Sequence, residues 1–195
     1  MSSVAPVLEG SPAGSLIRLR YLWGVAAALV VMIAAILIGN VWFLNWVHVM
    51  SGVLWTGIDL FMGFVVGPIL RRVDLPTRKT FIMQLTPVTL FLLPTLSVLT
   101  GTAGWFLAVR LGFTQLPWPH LGWVVAALVL VTLMAIQGLG YLLPTSLRVC
   151  FELQKPHPDG QKITRMMSRF YYVVASQGTM QIAIIIVMAK LATGP

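Results

Sequence analysis

The sequence predicts an all-α integral membrane protein with five transmembrane helices. The 195-residue chain is 58% hydrophobic and only 9% charged, whereas a soluble domain carries about 25% charged residues. Its apolar runs are long enough to cross about 30 Å of hydrocarbon as helices, and no run alternates in the way that transmembrane strands do. The predicted helices cover residues 21–39, 42–70, 81–109, 121–147 and 171–189.

The first predicted helix follows a tail of residues 1–20, which is rich in Ser, Gly, Pro and Ala and is predicted to be disordered. No small-residue cleavage site follows this helix, so we expect it to remain part of a single transmembrane domain, residues 21–195, and not to be removed as a signal peptide. Only Asn40 and Val41 separate it from the second helix. This short connection predicts an antiparallel hairpin.

Helices two to five are predicted to form a four-helix bundle around a polar interior, with the first helix at its periphery. Pro87 and Pro94 lie seven residues apart in helix three, and so on nearly one face. Each removes a backbone hydrogen bond, and the freed carbonyl groups must be satisfied by protein because lipid offers no donors. We therefore expect this face of helix three to be buried in protein.

The basic residues predict the orientation of the chain, whose formal net charge is +8. Eleven of them flank the first helix or lie in the two connections that follow helices two and four, whereas only Arg110 and Lys190 lie on the other side. This bias predicts a multi-pass protein of the bacterial-type cytoplasmic (inner) membrane with its N-terminus inside and its C-terminus outside. The charges then face anionic lipid, which argues against nucleic acid as the partner.

Two histidines are predicted to lie in the outer leaflet. An ionisable group in hydrocarbon costs about 2.5–3.5 kcal/mol and commonly marks a functional site; His48 lies inside helix two, and His120 stands at the first turn of helix four. Imidazoles from two helices are suitable axial ligands for a b-type haem iron, and Gly52, one turn below His48, would leave room for the ring. The alternatives to haem ligation are that His48 is satisfied by a hydrogen bond within the protein and that His120 is exposed to solvent at the membrane interface.

A second polar layer is predicted deeper in the inner half. Trp55 and Asp59 lie within about 20° of His48 around helix two, but Asp59 is about 16 Å further along the axis. No Lys or Arg lies inside a span to pair with Asp59, which is roughly level with Gln181 of helix five. Asp59 is therefore a candidate proton relay or polar cofactor contact. The alternative is hydrogen bonding between helices, worth about 1 kcal/mol per bond.

The run His48-Val-Met-Ser-Gly-Val-Leu-Trp55-Thr-Gly57 resembles the first histidine motif of a cytochrome-b-like membrane group. That group includes HemJ-type protoporphyrinogen oxidases, CopD-type copper-resistance proteins and the membrane part of PuuD-type urate oxidases. Trp118-Pro-His120 resembles the Trp-x-His motif of the HemJ type. Through Leu143-Pro-Thr-Ser-Leu-Arg148 and the last helix, the chain is similar to a family of predicted integral membrane proteins of unassigned function within this group.

The resemblance implies haem b as the cofactor, with His48 as a ligand of the iron, His120 as a candidate second ligand and Trp55 packed on the ring. Gly122 and Leu142 stand where HemJ-type chains carry a lysine and a histidine, so porphyrinogen oxidation is not implied. The chain also lacks the Cys-x-x-Cys-His motif of a cytochrome c domain.

The sequence therefore favours a b-type haem-binding membrane protein that acts in electron transfer or in oxidation of a membrane-accessible substrate. Its expected partners are the lipid bilayer and a quinone, a porphyrin or a respiratory-type subunit, with homo- or hetero-oligomers both left open. A cofactor-free accessory or structural subunit of a larger membrane complex is the alternative. A copper or small-solute permease is the weaker one, because the sequence suggests neither an internal repeat nor a matched pair of helix breaks.

Overall fold

The computed structural model describes residues 19–194, so the predicted tail lies outside the described residues apart from its last two positions. Within residues 19–194 there is no β-strand. Five helical spans are long and apolar enough to cross a membrane, which confirms the predicted all-α class. They are Leu19–Ile38, Val41–Arg72, Pro76–Arg110, Leu121–Leu153 and Gly160–Ala192.

The spans are built from seven α-helices, two π-helical segments and a first 3-10 turn, Leu19–Tyr21. Another 3-10 turn, Phe113–Gln115, lies in the connection between the third and fourth spans. The α-helices are α1 Leu22–Ile38, α2 Val41–Phe61, α3 Gly67–Arg72, α4 Leu75–Arg110, α5 Leu121–Gln137, α6 Leu143–Leu153 and α7 Gly160–Ala192. The π segments are Met62–Val66, between α2 and α3, and Gly138–Leu142, between α5 and α6.

The connection between α1 and α2 is as short as the sequence predicts. Gly39 has φ 78°, in the left-handed region that glycine adopts without strain. The Asn40 side chain then accepts a hydrogen bond from the Phe43 amide (3.0 Å) and caps α2. The guanidinium of Arg110, at the end of α4, donates to the Ile36 carbonyl and so ties the end of α1 to α4.

The third and fifth spans begin earlier than predicted. Asp74 caps α4 by accepting from the Thr77 amide (3.4 Å), and Asp159 caps α7 by accepting from the Lys162 amide (3.0 Å). The interaction with Thr77 holds the pKa of the exposed Asp74 carboxyl below its usual value. Hydrophobicity identifies only the apolar part of a span, whereas these caps extend both helices with a basic first section.

The helices pack so that α2 lies along α4, and α5 lies along α7. Helix α1 packs against α4 and α2, while α6 contacts both α4 and α7. Buried apolar clusters follow one another along the spans, one around Leu44 and Ala103, one around Trp55 and Met134, and one around Val149 with Leu153 and Ile163. We call the end of the molecule that carries Arg71, Arg78 and Lys162 the basic end.

The prolines of α4 leave this helix unbroken, since it runs for 36 residues through both. Pro87 is fully buried, and Pro94 lies in the wall of an interior cavity between helices. The prediction that this face of the helix is buried in protein is therefore confirmed.

The two π segments occupy corresponding places in the second and fourth spans. A proline follows each one by two residues, Pro68 after Val66 and Pro144 after Leu142. A proline has no amide hydrogen for the usual helical bond, and in both places the preceding amide instead reaches back five residues, from Gly67 to Met62 and from Leu143 to Gly138. Both segments remain inside continuous helical spans, Val41–Arg72 and Leu121–Leu153, so each widens one turn without breaking the helix.

At the basic end, Glu152 links α6 to α7. This carboxylate is only 5% exposed and accepts hydrogen bonds from Lys155 Nζ (2.9 Å) and Lys162 Nζ (2.8 Å). Lys155 is three residues away along the same stretch of chain, whereas Lys162 lies in α7.

We expect Lys162→Met to lower the unfolding temperature more than Lys155→Met does, because only Lys162 joins two helices. Cys150 is the single cysteine and is buried, so a thiol-reactive fluorophore reports unfolding of the detergent-solubilised protein directly. Equal shifts in the two variants would mean that the contact between helices contributes nothing to stability.

Candidate functional site

His48 lies between α2 and α4, where its ring is fixed by the backbone. Its Nδ1 is 2.9 Å from the main-chain carbonyl oxygen of Thr100. A carbonyl can only accept a hydrogen bond, so Nδ1 carries the proton and the neutral ring keeps its lone pair on Nε2. A carbonyl partner on one nitrogen is the arrangement that orients histidines whose other nitrogen binds a metal.

Hydroxyl groups surround this contact and join the same two helices. Ser51 donates to the Val47 carbonyl (2.7 Å), and the Thr100 hydroxyl donates to Ser51 Oγ (3.0 Å). Gly52 also faces α4, because a Cβ at this position would lie 3.4 Å from the Thr100 methyl group. Gly52 therefore lets α2 and α4 approach each other one turn below His48.

Gly104 provides the space that the His48 ring occupies. A Cβ on Gly104 would lie 2.6 Å from Cε1 and 2.8 Å from Nδ1 of His48, closer than atoms can approach. Nothing in the sequence indicated Thr100, whose contribution is a main-chain carbonyl that any residue would supply.

We expect Gly104→Ala to displace the His48 ring and destabilise the protein by about 1–3 kcal/mol, the usual effect of overpacking a well-packed site. Gly101→Ala is the matched control, because a Cβ there would meet no atom within 4 Å. Thermal unfolding followed through Cys150 measures both. Equal stability of the two variants would contradict the close contact of Gly104 with the imidazole.

His120 is exposed and immediately precedes α5. Its carbonyl accepts from the Trp123 amide (3.2 Å), while no hydrogen bond to its side chain is found within residues 19–194. No hydrogen bond joins the His48 and His120 imidazoles in this part of the chain either. The same residues include no group of three or more His, Cys, Asp or Glu side chains that could hold a bare metal ion.

Asp59 is the centre of a hydrogen-bond network between α2 and α7. Its Oδ2 accepts from the side-chain amides of Gln181 (3.0 Å) and Gln177 (3.3 Å). Thr56, three residues before Asp59, donates to Gln181 Oε1 (2.6 Å). Both glutamines are at most 2% exposed, and Asp59 has no cationic partner among the ion pairs of residues 19–194. The prediction that Asp59 lies level with Gln181 is thus confirmed. Gln137 of α5 donates to Ser176 of α7 (2.6 Å).

Asp59 lies in the walls of two spaces. One is an interior cavity of about 170 Å³ between the second, third, fourth and fifth spans, whose wall includes both π segments. The other is a more open groove of about 700 Å³ that runs between the second and fifth spans to Arg71 and Arg78 at the basic end. Trp55, predicted to pack on a cofactor, is 5% exposed and lies in the cavity wall beside Met134.

The chain was compared with protein-family models, with curated proteins and with solved structures, and none of the three comparisons finds a match. The geometry of the His48 and Asp59 sites is therefore the basis for any functional conclusion.

Proposed function

We propose that the protein is a b-type haem protein of the bacterial cytoplasmic membrane, with a cytoplasmic N-terminus, and that His48 holds the iron. The observation that carries the proposal is the hydrogen bond from His48 Nδ1 to the Thr100 carbonyl (2.9 Å), which leaves Nε2 as the free ligand atom. The resemblance of the His48–Gly57 run to cytochrome-b-like proteins supports the same ligand.

The residues around His48 hold its imidazole in one orientation. Gly104 leaves space for the His48 imidazole. Beside it, Ser51 and Thr100 make hydrogen bonds that join α2 to α4. A bound haem would supply one-electron chemistry between its ferrous and ferric states. We propose His120 as the second ligand on the basis of its expected depth.

The chain's own residues would position the cofactor and handle protons. The Thr100 carbonyl orients the His48 imidazole and makes Nε2 a better donor to iron. Asp59 offers a carboxylate that can hold a proton, and the groove from Asp59 to Arg71 gives water a route toward the basic end. The electron donor or acceptor is proposed to be a quinone, a porphyrin or a partner subunit.

The test is the haem content of protein expressed with ample haem and purified in mild detergent. A pyridine haemochrome assay against protein concentration should give about one haem b per chain. A content close to zero would overturn the proposal and favour the cofactor-free subunit, in which the His48–Thr100 bond only fastens α2 to α4.

A small-solute permease is the second candidate, favoured by the matched π segments. Single π turns within α-helices are frequent at functional sites. Here both segments border the cavity that contains Asp59. Haem-free protein that moves a solute across vesicles would favour this candidate.

A further inference from the structure

The Asp59 carboxylate and the Gln177 side chain border the interior cavity. Gln177 is 2% exposed and its Nε2 donates to Asp59, while its Oε1 is buried and closed off from the cavity. An ionised carboxylate can only accept hydrogen bonds, so this margin of the cavity suits a molecule with a donor.

The remaining wall of the cavity is mostly apolar and includes Leu93, Pro94, Met134, Leu139 and Phe170. Trp55 adds an indole to this surface. A dry cavity of about 150 Å³ in another protein accepts benzene, so the 170 Å³ found here is large enough for one aromatic ring. The Asp59 carboxylate is the charged acceptor at its margin, and the other polar groups of the wall are mainly hydroxyls, those of Thr86, Thr89, Ser97, Ser146 and Tyr171.

The cavity is also bordered by the two irregular segments of the helical spans. Both π segments contribute to it, through Met62 in the first and Gly138, Leu139 and Leu142 in the second. Single π turns within α-helices are frequent at functional sites. Asp59 and Tyr171 border both the cavity and the groove that leads to the basic end.

We propose that this cavity binds a hydroxyl-bearing aromatic ring, whose hydroxyl donates to the Asp59 carboxylate beside Gln177. Simple phenols and the head groups of membrane hydroquinones share this chemistry. The site is separate from His48, and binding requires no haem. It would place a hydroxyl proton next to the one carboxylate described within the apolar part of the spans.

The test uses the full chain in lipid nanodiscs and ¹⁹F NMR of 4-fluorophenol, with fluorobenzene as the probe that lacks the hydroxyl. We expect saturable binding of 4-fluorophenol that is about tenfold tighter than that of fluorobenzene. Binding should be retained in His48→Ala, which separates this site from the haem proposal. No saturable binding to the wild-type protein, or equal binding of the two probes, would overturn the inference.

Two glycines of the second π segment provide matched variants. Gly138 lies in the cavity wall, and a Cβ there would point to within 3.7 Å of Gln177 Nε2, whereas a Cβ on Gly140 would meet no atom within 4 Å. Gly138→Leu should abolish binding of 4-fluorophenol, and Gly140→Leu should preserve it. Ala135→Leu fills the same cavity from α5 and provides a second blocked variant if Gly138→Leu does not fold. Binding that survives in a folded blocked variant would contradict the site.

Competition distinguishes the two sources of the ligand. A hydroquinone with a prenyl tail that displaces the probe at lower concentration than its tail-free analogue indicates a membrane hydroquinone. The reverse order indicates a free phenol. Either order supports the cavity as a site for a hydroxyl-bearing ring, whereas failure of both compounds to displace the probe would contradict it.

Discussion

The His48→Ala variant is expected to fold, insert and lose the haem b that we propose for the wild-type protein. The reason is that His48 supplies the one imidazole whose Nε2 is left free by a fixed partner on Nδ1, the Thr100 carbonyl at 2.9 Å. Haem content should fall at least tenfold, measured by the haemochrome assay on equal amounts of purified variant and wild-type protein.

The other two histidines are the controls for this variant. His157 is exposed in the connection between α6 and α7, so His157→Ala should keep the wild-type spectrum. His120→Ala should keep the haem on His48 but change its ligation, from a low-spin to a high-spin spectrum, if His120 is the second ligand. Full haem content in His48→Ala would contradict the assignment of the ligand.

The second large effect is expected at Asp59. Asp59→Ala leaves the buried side-chain amides of Gln177 and Gln181 without their acceptor. An orphaned buried donor costs about 1–3 kcal/mol, although hydrogen bonds between membrane helices average only about 0.6 kcal/mol. We therefore expect a loss of stability of about 1–3 kcal/mol in total, visible as earlier labelling of Cys150 on heating.

Asp59→Asn is the variant that separates the structural role from the role in proton transfer. Its amide oxygen can still accept from Gln181 and Gln177, so its stability should be closer to that of the wild type than the stability of Asp59→Ala is. Unlike Asp59, the asparagine cannot take up a proton. Stability of Asp59→Ala equal to that of Asp59→Asn would contradict the network as a contribution to folding.

The sequence was sufficient for the number of spans and for the depth of Asp59. Long apolar runs must become helices in lipid because their backbone groups can be satisfied in no other way short of a closed barrel. Counting along the helical rise brought Asp59 level with Gln181, which donates to it at 3.0 Å. Pro87 likewise followed from the requirement that freed backbone carbonyls face protein.

The features that could not be predicted from the sequence depend on main-chain groups and on which residues of neighbouring helices face each other. The partner of His48 is a main-chain carbonyl, which every residue carries, and the value of Gly104 appears only once α4 faces α2. The π segments were not predicted because hydropathy carries no information on the number of residues in a helical turn. In retrospect, the Pro68 and Pro144 positions two residues beyond each segment were the signal.

The central claim is that His48 binds haem, and a reduced-minus-oxidised optical spectrum of the detergent-purified protein tests it most directly. The claim predicts a sharp α band of the b type in the wild-type protein and its absence in His48→Ala. A flat difference spectrum from folded wild-type protein expressed with ample haem would contradict it.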